Sequence, residues 1–417
     1  NVNKEIKNLL SLERNDYTEV YSLLSKRKTY YDIRNYGAVY KNVFILTGWV
    51  PREEAKALRK QLEDVKGVSC LVDPVTKDDP KSPPVRLRNN WFFRPFEFFV
   101  TMYGLPSYGE MDPTPFIALT YILLFGIMFG DVGQGLLLSL VGYLLYRFKG
   151  MRLGRVLVPC GISSACFGLV YGSVFGFEHL LDPVYRWLFH WKRKPIEVMD
   201  ESTASMIIMV SLGIGVFLIL LSMILNIYSS WKQKKIGRML FSSSGVAGFV
   251  FYASLVGMLA GQLLFSLPLI NLWSACGLLL LPLLLIFLSE PLEKKLAGDP
   301  DWKPESWGGF CIQSFFEVFE TLLSYLANTM SFLRVGAFVL IHAGMMMVVF
   351  MLADMVPAVL YGVVVVIGNL FVMALEGLLV GIQSLRLEFY EMFSRFFEGQ
   401  GRPFVPVQVQ QQQDADQ

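Results

Sequence analysis

The sequence predicts a mainly α-helical protein that crosses a membrane several times. Of its 417 residues, 53% are hydrophobic and only 17% are charged, and the mean hydropathy is +0.45. Soluble globular proteins carry about 25% charged residues, so this chain is too apolar for that class. Long apolar segments fill residues 114–389, whereas residues 1–105 are polar with mixed charge. The formal net charge of +2 indicates no particular partner.

Residues 1–105 are predicted to form a cytoplasmic arm with coiled-coil helices and a small α/β module. Strands are expected at 42–50 and 68–72, on either side of a charged helix that opens at Pro51. Residues 73–84, with four prolines and alternating charges, are expected to be a linker. The chain lacks a starting methionine and begins in a helical pattern, so we expect it to start partway through a longer polypeptide. Apolar residues recur at helical spacing in the coiled-coil part, at Ile6, Leu9, Leu10, Leu12, Tyr17, Val20, Tyr21 and Leu24.

The first apolar run, residues 115–146, is predicted to be a helical hairpin. As one helix it would be about 48 Å long, against a hydrocarbon core of about 30 Å. The segment Gly-Asp-Val-Gly-Gln-Gly at 130–135 interrupts it, and we interpret Asp131 as a turn residue.

Eight transmembrane helices are predicted in a domain at 106–400, followed by a tail at 401–417. After the hairpin, spans are expected near 156–175, 204–228, 241–265, 271–288, 315–351 and 357–390. The last two are long enough that they must tilt or protrude. Basic residues after 146 and after 231 indicate the cytoplasmic side, which puts both ends of the chain in the cytoplasm. The external loop 177–203 also carries four basic residues, which weakens this assignment without reversing it.

Two arginines, Arg334 and Arg386, lie inside the last two apolar segments. A guanidinium stays charged at any working pH, and it costs at least about 3 kcal/mol in the middle of a bilayer. For Arg334 no carboxylate lies within one helical turn, so we expect it to face a partner or a water path. Arg386 has Glu388 nearby and lies closer to a helix end, so simple snorkelling to the interface remains an alternative.

Polar residues accompany both arginines at helical spacing. Before Arg334 they recur every three or four residues, and in the last segment they recur every seven, which keeps each set on one face. This pattern is typical of an ion path lined by side chains. Helix–helix hydrogen bonds, worth about 0.6 kcal/mol a pair, are the alternative. His342 is either a satisfied polar residue or a proton relay. The set before Arg334 is Glu320, Ser324, Asn328 and Ser331, and the set in the last segment is Asn369, Glu376, Gln383 and Tyr390.

The sequence contains no phosphate-binding loop, no nucleophile with a plausible base and no His/Cys cluster. We therefore predict no cofactor, no metal site, no catalytic residue and no nucleic-acid partner.

Several segments resemble a known family. Residues 324–342 (SYLANTMSFLRVGAFVLIH) resemble the penultimate-helix motif of the membrane a subunit, or subunit I, of V-type and archaeal-type rotary ATPases. Its last-helix motif is resembled by residues 375–389 (LEGLLVGIQSLRLEF) together with 396–406 (FFEGQGRPFVP). Residues 108–116 (YGEMDPTPF), 128–135 (MFGDVGQG) and 47–51 (TGWVP) agree with it. Residues 331–336, which continue the motif around Arg334, and the short external loop resemble the prokaryotic form of the family. The Gln-rich tail after Val407 departs from the family.

The resemblance implies a stator subunit with two half-channels that carry protons or sodium to and from a ring of proteolipids. It implies that Arg334 faces the ring carboxylate, with Arg386 as its partner on the last helix. Glu376 matches a carboxylate of one half-channel. Polar positions of the other half-channel match Glu320, Ser324 and Asn328. Asn328 and Gln383 stand where other members carry histidine.

The same resemblance implies the surroundings of the chain. The partners are the proteolipid ring, peripheral-stalk subunits, a membrane subunit linked to the central stalk, the soluble ATPase head (indirectly) and membrane lipid. The chain itself would hydrolyse no ATP. The location is the cell membrane, or an endomembrane in a eukaryote.

A secondary ion-coupled transporter with a midplane binding site is the main alternative, because buried charges and a glycine-broken helix are typical of transporters. The two halves of this sequence show no internal repeat, and its charges are concentrated in the last two helices. A scaffold that moves nothing is a third possibility, against which the intramembrane arginines argue.

Overall fold

The computed structural model describes residues 2–75, 82–177, 201–265, 276–298 and 306–406, with positions 180, 182, 183, 185, 198 and 303. The chain is mostly helical and divides into two compact units. One comprises Asn1–Arg86 with Gly401–Gln417, and the other comprises Leu87–Gln400.

The first unit contains a long helix, a β-hairpin and a short helix. These are α1 (Val2–Asn35), β1 (Gly37–Tyr40), β2 (Val43–Leu46) and α2 (Arg52–Glu63). The strands are antiparallel, with Gly37 opposite Leu46 and Tyr40 opposite Val43. Residues 402–404 pair with Val85 of the same unit through two backbone hydrogen bonds of 2.8 and 3.1 Å.

The predicted strand at 68–72 is wrong, because these residues are irregular. The partner of β2 is β1, which precedes it by a two-residue turn at Lys41, where φ is 54°. Such a hairpin closes a much shorter loop than pairing across α2 would. The expected coiled coil stays a prediction, since α1 is a single helix with Tyr17, Val20 and Leu24 exposed.

The second unit contains thirteen helices within the described residues. The first four are α3 (Glu97–Tyr103), α4 (Thr114–Phe129), α5 (Val132–Lys149) and α6 (Arg152–Tyr171). Next come α7 (Glu201–Lys232), α8 (Ile236–Phe241), α9 (Val246–Phe265), α10 (Leu281–Phe287) and α11 (Ser289–Ala297). The last are α12 (Trp307–Ser331), α13 (Leu333–Asp354), α14 (Ala358–Arg386) and α15 (Ser394–Phe396). Cys276–Leu280 and Leu387–Phe393 are π-helical, and Arg94–Phe96 is a 3₁₀ turn.

Five helical stretches are long and apolar enough to cross a membrane. They are Arg152–Tyr171, Ser202–Lys232, Ile236–Gln262, Trp307–Asp354 and Ala358–Phe396. Thr114–Phe129 and Gly277–Phe287 are shorter apolar helices. The protein is therefore a multi-pass membrane protein, and the count of eight spans stays a prediction.

The predicted hairpin break is confirmed at residues 130 and 131. Gly130 has φ of 28°, and the Asp131 side chain caps α5 by accepting from the backbone N–H of Gln134 at 2.8 Å.

Glycines let α5 and α6 pack backbone to backbone. A Cβ added at Gly135 would lie 2.8 Å from the carbonyl oxygen of Gly161. Small residues of this kind permit close helix packing in membranes.

The run predicted as one helix at 315–351 is divided at Phe332, between α12 and α13. The side chain of Phe332 is fully buried against Gly215 of α7, where an added Cβ would lie 2.4 Å from it. Gly336 of α13 packs close to Ser211, which also lies on α7. This packing anchors the start of α13 on α7, and it fixes the position of Arg334 in the first turn of α13.

Candidate functional site

Three titratable side chains from distant parts of the chain meet in the interior. His342 on α13 and Glu376 on α14 are joined by a hydrogen bond of 2.6 Å between Nδ1 and Oε2. The other ring nitrogen of His342, Nε2, lies 3.8 Å from Oδ2 of Asp131. Both carboxylate side chains are fully buried. We call these three residues the Asp–His–Glu cluster. Buried charged groups of this kind are stable only when they are paired and hydrogen-bonded.

Asp131 is held in place by four donors. Its carboxylate accepts hydrogen bonds from the backbone N–H groups of Gln134 (2.8 Å), Phe175 (3.0 Å) and Gly176 (2.9 Å). The hydroxyl of Ser173 donates a fourth bond at 2.6 Å. The turn role predicted for Asp131 is confirmed, and the same carboxylate also orients His342.

Amide side chains extend the cluster along α14. Nε2 of Gln134 donates to Oδ1 of Asn369 at 3.0 Å, and Nδ2 of Asn369 donates to the carbonyl of Val365 at 3.1 Å. Oε1 of Glu376 and Nε2 of His342 are buried and have no hydrogen-bond partner among the described residues. Buried polar atoms without a protein partner are commonly satisfied by water.

A cavity of about 650 Å³ adjoins the cluster and offers room for such water. His342 and Asp354 both line it, so it follows α13 for about 18 Å towards the end of the helix. Asp354 is exposed, whereas His342 is buried. The rest of the lining includes Met128, Met346, Met347, Met351, Met355, Phe129, Tyr171, Phe177, Val198 and Phe350.

Arg334 is half-buried, and its Nη1 atom has no hydrogen-bond acceptor among the described residues. Arg386, at the exposed end of α14, lies within electrostatic range of it. The carboxylate of Glu391, which is 4% exposed, interacts with both guanidinium groups, although no direct ion pair joins them in the described chain. Two cations therefore share one neighbouring carboxylate. A partly buried site with this charge balance attracts a further anion.

A third arginine, Arg395, borders the same region. Its guanidinium carbon lies 5.0 Å from the ring centroid of Tyr325, and it also interacts with Glu391. Cation–π contact stabilises a cation that is removed from water. The sequence reasoning missed both Glu391 and Arg395, because they follow the apolar segment and look like ordinary residues of a helix end.

The polar residues of α12 stay together on one face. Glu320 and Ser324 are exposed, and Asn328 and Ser331 are half-buried. Nδ2 of Asn328 lies 3.5 Å from Oγ of Ser324. This face is flanked by exposed apolar side chains, among them Phe316, Phe319, Leu323 and Met330.

The polar residues of α14 do not share one environment, which corrects the expectation from their spacing. Asn369 and Glu376 face the interior, Gln383 is half-buried, and Arg386 and Tyr390 are exposed. A repeat of seven drifts by about 20° per heptad on a straight helix, and the π-helical turn after Arg386 shifts the phase again. The interior part belongs to the Asp–His–Glu cluster, whereas Arg386 in the exposed part lies within electrostatic range of Arg334. Among the described residues no three acidic, His or Cys side chains are arranged to hold a metal ion.

The chain is similar to known subunits of rotary ATPases. Residues 1–154 match the V-type ATPase 116kDa subunit family. The chain is 25% identical to the A-type ATP synthase subunit I of Methanocaldococcus jannaschii, over 97% of this chain and 61% of that protein. It is 30% identical to the A-type ATP synthase subunit I of Aeropyrum pernix, over 88% of this chain and 58% of that protein. Together these similarities support a subunit of an archaeal-type rotary ATPase.

The similarity to subunit I of A-type ATP synthases is consistent with the apolar, membrane-spanning helices of this chain. A bacterial relative, the V-type ATP synthase subunit I 2 of Treponema pallidum, is 38% identical over 35% of each chain. Archaeal and bacterial relatives agree with the prokaryotic form of the family. The chain spans about three-fifths of the length of the two archaeal relatives.

Proposed function

We propose that this chain forms the stator part of the membrane sector, with two half-channels that carry protons or sodium to and from a proteolipid ring. One observation carries the proposal. Along α12 and α13, Arg334 lies between two groups of polar residues that differ in environment. Before it are the exposed residues Glu320, Ser324 and Asn328, and after it is the buried Asp–His–Glu cluster.

The cluster and its cavity would form the external half-channel. We infer from the basic loops that the start of α12 lies on the cytoplasmic side, so that the end of α13, with Asp354, would face outward. Water in the cavity would reach His342, and the shared hydrogen bond with Glu376 would pass a proton inward. For protons this needs only a change of protonation within the cluster. The exposed polar face of α12 would form the cytoplasmic half-channel once the ring covers it.

Arg334 would separate the two paths and act on the ring. A ring carboxylate that reaches it meets a fixed positive charge in a low-dielectric site, which favours the ionised carboxylate. The ion is thereby released to one half-channel and can be reloaded only after rotation to the other. A fixed cation between the paths also opposes direct leakage of cations. The membrane potential supplies about 2.3 kcal/mol per charge per 100 mV to this movement.

The remaining parts of the proposal concern the assembly. Eight spans with both termini in the cytoplasm, the arm at 1–105 and the translocating domain at 106–400 fit a stator held by peripheral stalks. The arm would bind those stalks, and the membrane sector would contact the proteolipid ring and the subunit linked to the central stalk. ATP hydrolysis would take place on other subunits, in the soluble head. The Gln-rich tail lies outside the described residues.

The proposal predicts that the full-length protein, purified in mild detergent, comigrates with a small and very apolar proteolipid and with soluble ATPase subunits. A stator needs the ring, whereas a secondary transporter works alone. An unrelated multi-pass protein with the same tag controls for aggregation. Purification without any ATPase subunit, together with ion-coupled solute uptake by vesicles that contain this chain alone, would favour the transporter.

A further inference from the structure

The connection between α5 and α6 gathers four cations in a small area. They are Arg147, Lys149, Arg152 and Arg155. α5 ends at Lys149, Gly150 turns the chain with φ of 63°, and α6 begins at Arg152. The two helix ends are in backbone contact, because a Cβ added at Gly154 would lie 2.5 Å from the carbonyl oxygen of Gly142. We call residues 143–155 the hairpin tip.

The cations of the hairpin tip have no acidic partner within the described chain. No Asp or Glu occurs between Asp131 and Glu178, and none of the recorded ion pairs includes the four cations. Arg155 stacks on the ring of Tyr146 instead, 4.1 Å from its centroid. The first turn of α6 contains no acidic residue and carries Arg152, so the positive end of the helix dipole adds to the same charge.

A second basic segment, at 232–238, provides an internal comparison. There Arg238 forms an ion pair with Glu398, and Lys235 lies near the carboxylate of Glu110. Among the described residues, the protein supplies anions for this segment and none for the hairpin tip. An external anion is therefore required at the hairpin tip if its charge is to be balanced.

Exposed apolar side chains alternate with the cations. Phe148 is 79% exposed, and Tyr143, Leu144, Met151 and Leu153 are exposed as well. The hairpin tip follows the apolar stretch of α5 and precedes that of α6, at the level where a membrane helix meets the lipid headgroups. A ligand that carries an anionic head beside an apolar chain fits this mixture better than an acidic protein surface does.

We propose that the hairpin tip binds anionic phospholipid in the cytoplasmic leaflet. The phosphate would lie among Arg147, Lys149 and Arg152, and the acyl chain would lie along Phe148 and Leu144. Clusters of basic residues next to a membrane helix attract anionic lipids in this way, each contributing a factor of about five in affinity. The proposal is independent of the half-channels, since it involves none of their residues.

The test compares two variants of the full-length protein in nanodiscs. One is Arg147→Gln/Lys149→Gln/Arg152→Gln, and the control is Lys232→Gln/Lys234→Gln/Lys235→Gln, which removes the same charge. Phosphatidylglycerol retained by each protein is counted by native mass spectrometry, with phosphatidylcholine as the neutral reference. We expect at least about a tenfold loss of phosphatidylglycerol affinity in the hairpin-tip variant and little change in the control. The single variant Arg152→Gln, with a smaller loss, serves if the triple variant does not fold.

Three results would overturn the proposal. Equal loss in both triple variants would indicate bulk attraction of charge rather than a site. Displacement of the lipid by excess inorganic phosphate would assign the site to free phosphate. Unchanged lipid binding, together with loss of another subunit from the purified complex, would assign the hairpin tip to a protein partner.

Discussion

Arg334→Ala is expected to abolish ATP-driven ion transport while the complex still assembles. The side chain is half-buried, its Nη1 atom has no acceptor among the described residues, and Glu391 is shared with Arg386. Without the guanidinium, a ring carboxylate that enters this site loses its counter-charge and keeps its ion. We expect pumping to fall at least about 100-fold, which corresponds to a loss of about 2.7 kcal/mol or more.

The measurement is ATP-driven gradient formation in vesicles, with the subunit stoichiometry determined in parallel. Arg334→Lys should restore only a small part of the activity, because an ammonium keeps the charge but lacks the planar fork. Arg94→Ala is the control, since this exposed arginine lies outside the apolar segments. Near-normal pumping by Arg334→Ala at normal stoichiometry would rule out the proposed mechanism.

Asp131→Ala is expected to destabilise the membrane domain by at least about 3 kcal/mol. The change leaves the buried N–H groups of Gln134 and Gly176, and the partly buried N–H group of Phe175, without an acceptor. Each unsatisfied buried group costs about 1–3 kcal/mol. His342 also loses one of its two acidic neighbours. Asp131→Asn should be less harmful, because the amide oxygen can still accept some of these bonds.

Thermal unfolding in detergent, followed by the loss of helical signal, measures this effect. Glu320→Ala is a matched control, since it removes a carboxylate that is exposed on α12. We expect Asp131→Ala to unfold at a much lower temperature than the wild type. Glu320→Ala should unfold at almost the same temperature as the wild type. Equal unfolding temperatures for the two variants would show that Asp131 does not organise the turn.

Local signals made the hairpin between α4 and α5 predictable. Gly130 ends α4 and Asp131 caps α5 through Gln134, and these two signals involve only neighbouring residues. The division at Phe332 lacks such a signal, because no glycine or proline is present at that position. It depends on Gly215 of α7, a packing partner from another part of the chain.

The Asp–His–Glu cluster was only partly visible from the sequence. His342 and Glu376 were recognisable because polar residues in apolar helices stand out, and their spacing placed each on a known helix. That Asp131 reaches His342 follows from the packing of α4 and α5 against α13, which periodicity does not encode. The position of Tyr390 likewise depends on the π-helical turn, which begins after Arg386.

Sided labelling of single cysteines tests the two half-channels most directly. In a background without the five native cysteines, Ser324→Cys and Glu376→Cys are placed in oriented vesicles of the whole complex. Val366→Cys, on an exposed apolar part of α14, is the control that should resist a charged, membrane-impermeant maleimide. We predict that Ser324→Cys reacts only from the cytoplasmic side and that Glu376→Cys reacts only from the external side. Equal reaction of both cysteines from both sides would indicate one continuous pore and would contradict the separation of the two paths at Arg334.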